Sequence, residues 1–175
     1  MTRFFLTLVA LLQVAESGFA AEPQEWITFE EPSERFSIRL PSTPVPKEIC
    51  GGGDKKNIYY QCKSEELDCH FDVCVMERPT LQKGETIEKH YEEIAGYLRD
   101  DPLVKSLSTK QSRWKGKYPV FEMSILSSTA PDNVVEQTYF IATPKDVIVI
   151  EFKGPKASIE SKQVAECLDS LTIKE

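Results

Sequence analysis

The sequence predicts an α+β domain in which a single antiparallel β-sheet is covered by helices, an α/β/α sandwich. Two observations at the C-terminal end carry the prediction. Val134 to Thr143 and Val147 to Phe152 are apolar-rich runs separated by Pro144-Lys145-Asp146, the pattern of a strand hairpin. Beyond Gly154-Pro155, which is expected to stop the sheet, a segment from about Ser158 carries Val164, Cys167, Leu168 and Leu171 at three- and four-residue spacing. That spacing lines one face of a helix. A third observation supplies the other cover: Ile87, Tyr91, Ile94, Ala95 and Leu98 form the same kind of stripe within Thr86 to Arg99. One-sided helices need an apolar sheet face to bury against, and the two stripes require two faces.

The remaining elements follow in chain order. Met1-Thr2-Arg3 is a short positive lead, Phe4 to Leu12 an apolar run, and Gly18-Phe19-Ala20 places small residues where a signal peptidase reads them. Residues 1–20 are therefore expected to be a cleaved secretory signal, since a membrane span takes roughly 20 apolar residues. Residues 21–175 are expected to form one domain, of a size that buries roughly two-thirds of its unfolded surface. Trp26 to Phe29 is a brief strand, and Phe36-Ser37-Ile38-Arg39-Leu40 alternates strictly, with one face buried and one wet. Pro44 and Pro46 hold the next segment at a sheet edge. Gly51-Gly52-Gly53-Asp54 is a turn, and Asn57 to Cys62 and Cys69 to Met76 are strands joined by the charged loop Lys63 to Asp68. After the helix at Thr86 to Arg99, closed by Asp101-Pro102, Leu103 to Lys115 and Tyr118 to Ser127 are two further strands.

The chain has 175 residues and a net charge of −7, which the signal's Arg3 and Glu16 leave unchanged on removal. An acidic chain without a basic run argues against nucleic acid and against anionic membrane surfaces as partners. No second hydrophobic stretch suggests a membrane span in the mature chain. Five cysteines in an exported chain point to disulfide chemistry. Pairing the two strands symmetrically about the Lys63–Asp68 loop sets Cys62 opposite Cys69, where a bridge would stabilise by about 2–3 kcal/mol. The same register sets Asn57 opposite Cys74 and Cys50 opposite Asn57, so that Cys50 and Cys74 lie two strand spacings apart, ~9.6 Å. Only a bulge or another strand order would bring that second pair into reach. Cys167, on the apolar face of the last helix, is expected to be a buried core thiol.

His70, Asp72 and Cys74 alternate along one strand and so share a face, which makes them a candidate metal or small-ligand site. Their spacing is not that of a recognised zinc site. His90, beside Tyr91, is expected to face solvent, so neither histidine supplies a convincing base for a cysteine nucleophile. Gly51-Gly52-Gly53 lacks the lysine and helix of a phosphate loop, and acidic pairs such as Glu65-Glu66 and Glu92-Glu93 suit a solvated surface. No catalytic residue, cofactor or resident metal is expected.

Trp26-x-x-Phe29, followed by Phe36-Ser37-Ile38-Arg39-Leu40-Pro41 and Pro44, resembles the opening of PsbP-like and DcrB-like secreted domains. Gly116-Lys117-Tyr118-Pro119-Val120-Phe121-Glu122, before a hairpin and a closing Cys167-Leu168-Asp169-Ser170-Leu171 helix, is similar to their second half. The resemblance implies an antiparallel sheet between helical layers and a mostly non-enzymatic role. It implies no functional residue, because these motifs pack and carry no chemistry. The expectation is an exported, secreted or periplasmic monomer that acts by protein association in the cell envelope, with an envelope protein as its partner. Its docking surface would be the edge near Pro44 to Gly53 or the loop Lys63 to Asp68. The alternative is a small-ligand or metal-binding module on the His70/Asp72/Cys74 face.

Overall fold

The structure is a computed structural model that describes residues 25–50 and 56–174. The expected secretory signal and the Gly51–Asp54 turn lie outside the described residues. Ten strands and three helices follow one another: β1 (Ile27–Glu30), β2 (Phe36–Leu40), β3 (Val45–Cys50), β4 (Lys56–Ser64), β5 (Cys69–Glu77), α1 (Ile87–Arg99), β6 (Val104–Trp114), β7 (Tyr118–Ser127), β8 (Val134–Ala142), β9 (Asp146–Pro155), α2 (Lys156–Ile159), α3 (Lys162–Asp169) and β10 (Thr172–Ile173). β3 to β9 build a seven-stranded antiparallel sheet in the order β3-β4-β5-β9-β8-β7-β6, and β1, β2 and β10 build a second, three-stranded one. The expected α+β class holds, with helices over an antiparallel sheet, but the strands are divided between two sheets.

The division follows from which strands are apolar on both sides. Val147, Ile148, Val149 and Ile150 of β9 are all buried, so this strand takes the centre of the large sheet, beside β5. β2 is apolar on one side only. Its Phe36, Ile38 and Leu40 are almost fully buried, whereas Arg39 between them is exposed. A one-sided strand stabilises most as an outer layer, and here it turns that side onto the large sheet. Trp26 meets Phe71 edge-on at 5.6 Å, Phe29 lies 4.9 Å from Tyr60, and Phe71 meets Phe152 at 5.3 Å, so rings from both sheets share one core. Each fully buried Phe of this kind stabilises by about 1.5–3 kcal/mol over its exposed state. Val164, Cys167 and Leu171 complete this core from the side of α3.

The opposite face of the large sheet receives α1. Tyr91 stacks on Phe140 at 4.5 Å and on Phe121 at 5.9 Å, and Ala95 and Ile87 are buried beside it. Ile94, although on the stripe, remains 38% exposed at its margin. Thr86 caps α1 by accepting from the Lys89 N–H at 3.2 Å. Arg99 and Glu92, bonded to each other at 2.7 Å, both reach Thr109 of β6 at 3.2 Å, which fastens the helix to the β6 side of the sheet.

Three local expectations need correction. Gly154-Pro155 does not stop the sheet: β9 runs through both residues, opposite Val135 and Val134. Glycine is needed there because a Cβ at position 154 would lie 2.8 Å from the Asp68 carbonyl oxygen. The closing helix is two helices, since Ser161 interrupts it and caps α3 by accepting from the Val164 N–H at 3.3 Å.

The third correction concerns register. The β4–β5 turn spans 65–68 only, so Ser64 lies opposite Cys69, and Cys62 lies opposite Phe71. Cys62 and Cys69 are thus diagonal rather than opposite, and both thiols are free. Cys74 lies opposite Tyr59 and Cys50 opposite Lys56, while Tyr59 pairs with Lys47. The Cys50 and Cys74 positions are therefore offset along the strands as well as separated by β4, far beyond bridging distance. Cys74 is a free, buried thiol.

Candidate binding face

The face of the large sheet under α1 can be read as transverse rows set by the register. One row runs Tyr59, Cys74, Val149, Phe140, Phe121 across β4, β5, β9, β8 and β7. It is apolar and lies in the core beneath α1. The next row, two residues along each strand, runs Gln61, Asp72, Glu151, Thr138, Met123. The row after that runs Lys63, His70, Lys153, Glu136, Ile125. Because α1 packs toward β6 and β7, it covers Met123 and Ile125 but leaves Gln61, Asp72 and Glu151 half-buried and His70 and Lys153 exposed. They floor a shallow depression of ≈ 530 Å³, lined among others by Lys47, Gln61, His70, Asp72, Glu151 and Lys153.

Asp72 and Glu151 are direct cross-strand neighbours in this floor, two carboxyls on the same side of the sheet. Burial, then the Glu136 and Asp72 carboxylates, push the Glu151 carboxyl up to about 7, against a weaker opposing pull from Lys153. Burial also raises Asp72, while a hydrogen bond from Gln61 and the nearby His70 and Lys47 work in the other direction. Lys153 is held by Glu136 at 3.2 Å, and Lys63 by Glu65 and Asp68 at 3.1 and 3.4 Å. Neither Asp72 nor Glu151 has an ion-pair partner among the described residues. A second depression, of ≈ 390 Å³, lies at the other end of the sheet, where Arg35 is bonded to Asp146 at 3.0 Å and reaches Glu31 at 3.9 Å. Its main charges already neutralise one another, which makes the Asp72–Glu151 face the better candidate.

Of the residues singled out in the sequence, His70 and Asp72 lie on this open face, as their alternation requires. Cys74 shares their side of β5 but is fully buried and hydrogen-bonded to Tyr59, with burial pushing its thiol up to about 12. The three are therefore not brought together as ligands, and the described residues contain no cluster of His, Cys, Asp and Glu able to hold a metal ion. His90 is not simply solvent-facing: its Nδ1 lies 3.2 Å from Glu85 Oε1, ahead of the helix. Glu151 is the residue that sequence reasoning missed. Its signal is present, since it interrupts an apolar strand on the parity of Val147 and Val149 and so puts a charge where burial is the rule.

No family model and no curated protein sequence matches the chain. Among solved structures, the solution structure of cyanobacterial PsbP (CyanoP) from Synechocystis sp. PCC 6803 matches with a TM-score of 0.58 at 10% identity. The match covers 89% of this chain and 96% of that one. No helix among the described residues is long and apolar enough to cross a membrane. On the ground of that likeness the chain has a PsbP-like fold.

Proposed function

We propose that this chain is an exported, non-catalytic domain that acts by associating with a partner protein in the cell envelope or a similar secreted compartment. The observation that carries the reading is the open half-face, on which Asp72 and Glu151 stand side by side with no ion-pair partner among the described residues. A shallow floor drawn from four strands gives a partner a broad footing, whereas an enclosed pocket would suit a small substrate. A basic side chain from the partner would relieve the repulsion between the two carboxyls and draw a proton off Glu151. The apolar run and small-residue cut near the N-terminus support export, and the PsbP-like fold supports a non-catalytic role.

Photo-crosslinking residues placed at Gln61 and Lys153 in the native host test the docking face. Adducts to one envelope protein are expected from both positions and none from Lys162 on α3. Absence of adducts at Gln61 and Lys153, or equal labelling at Lys162, would overturn the assignment. N-terminal sequencing of the protein from the envelope or medium tests export: it should begin close to Ala21, and a retained Met1 in the cytoplasm would refute it.

A further inference from the structure

We propose that the outer edge of β6 accepts an extended acidic segment of a partner protein as an added strand. The large sheet has two edges, β3 and β6. β3 is six residues long and contains Pro46, which has no N–H to offer a further strand. β6 runs for eleven residues without proline or glycine, and among the described residues nothing pairs with its outer side. Its pairing with β7 is regular from Ser106 to Trp114, so every second residue there turns a backbone N–H and C=O outward. Beyond Thr109, where Glu92 and Arg99 of α1 take hold, Lys110, Gln111, Ser112 and Arg113 are all exposed. Successive residues of a strand point to opposite faces, so an incoming strand finds both faces clear.

Charge names the occupant. Pro102 to Phe121 is the longest stretch of the chain without an acid, and it carries Lys105, Lys110, Arg113, Lys115 and Lys117 in a protein of net charge −7. No two of these cations are adjacent in sequence, so they make no basic run; β6 and its turn gather them. Asp132 neutralises Lys105 at 2.8 Å, and Glu122 neutralises Lys110 at 3.2 Å. Arg113 and Lys115 have no carboxylate among the described residues. They donate to the Lys117 and Leu171 carbonyls at 3.3 and 3.1 Å, and the Lys115 ammonium also lies 5.5 Å from the centre of the Trp114 ring.

Lysine on an edge strand is also the ordinary guard against strand addition. Here the guard is selective. A second copy of β6 would set cation against cation, whereas an acidic strand brings carboxylates beside Arg113 and Lys115. Main-chain hydrogen bonds then supply affinity, and charge selects the sequence that is taken. This edge is separate from the Asp72–Glu151 face, and its use does not depend on that face being a docking site.

The test is an NMR titration of the isotope-labelled full chain, at low salt, with the peptide acetyl-Thr-Glu-Val-Glu-Val-Glu-Thr-amide. Outward amides between Lys110 and Arg113 should shift and exchange more slowly with solvent, while those of β3 stay as they were. The same peptide with lysine in place of glutamate should not bind. Nor should a version N-methylated at its central residues, which keeps the charge but has no N–H to give. Arg113→Glu, at an exposed position, should weaken binding by roughly fivefold, and Lys162→Glu on α3 should leave it unchanged. Failure of the acidic peptide to bind, equal binding of its N-methylated form, or protection at β3 instead would overturn the proposal. So would retention on phosphatidylglycerol vesicles that the peptide does not displace, which would make the basic edge a membrane contact.

Discussion

Two halves of one sheet face, only two residues apart along the same strands, have opposite characters. Under α1, Cys74, Val149, Phe140 and Phe121 form a dry row closed by Tyr91. One step along, Asp72 and Glu151 are half-buried and line the open depression. Backbone, strand order and register are common to both, so the difference lies in the side chains and in where a thirteen-residue helix comes to rest. Stability is concentrated where the face is covered. The uncovered half holds two like charges that a minimal-energy core would not contain, the arrangement expected of a surface kept for binding.

The largest expected effect comes from the fully covered core on the other side of the sheet. Phe71→Ala removes a ring that contacts both Trp26 and Phe152 and should cost about 3–5 kcal/mol in urea unfolding. Lys162→Ala, on the exposed side of α3, should change stability by no more than ~0.5 kcal/mol. Comparable losses for the two would erase the contrast between covered and open regions.

Next in size is the pH dependence of Glu151. Its folded value, about 7, is raised above the ordinary carboxyl value of 4.5, so the folded state holds the proton more tightly. The stability this supplies is fully present below about pH 4.5 and is lost as the pH rises through about 7. Glu151→Gln keeps a neutral side chain throughout. It should therefore gain on the wild type between pH 5 and 8 by on the order of 2 kcal/mol. Urea midpoints at the two pH values measure this, and parallel profiles for the two proteins would show that the open half stores no such repulsion. The smallest of the three losses is at the helix that divides the face: Thr86→Ala removes the α1 cap and should cost about 1 kcal/mol, lowering the melting temperature by roughly 2–4 °C. A loss confined to α1 amides in hydrogen exchange would locate it.

Much of the architecture was legible in the residues. Strict alternation marked β2, apolar runs either side of Pro144-Lys145-Asp146 marked the β8–β9 hairpin, Pro44 and Pro46 marked β3 as an edge, and a stripe of Ile87, Tyr91 and Ala95 marked α1. The candidate site was half legible: parity put His70 and Asp72 on one side of β5, but Glu151, which sits next to Asp72, is distant in sequence and was not paired with it. The disulfide expectation failed for a related reason. A turn tighter than the charged loop suggested moved Cys62 from Cys69 to Phe71.

Periods of 2 and 3.6 are properties of neighbouring residues, so the sequence alone determined which segments are strands or helices and which side of each is apolar. Tertiary structure decided what covers each side: the departure of β1, β2 and β10 into a second sheet, the rest position of α1 over β6 and β7, and the half-buried placement of Asp72 beside Glu151 beyond it. Those outcomes depend on segments that meet only after folding, and the free energy of burial is assigned there, pair by pair, to groups with no adjacency along the chain.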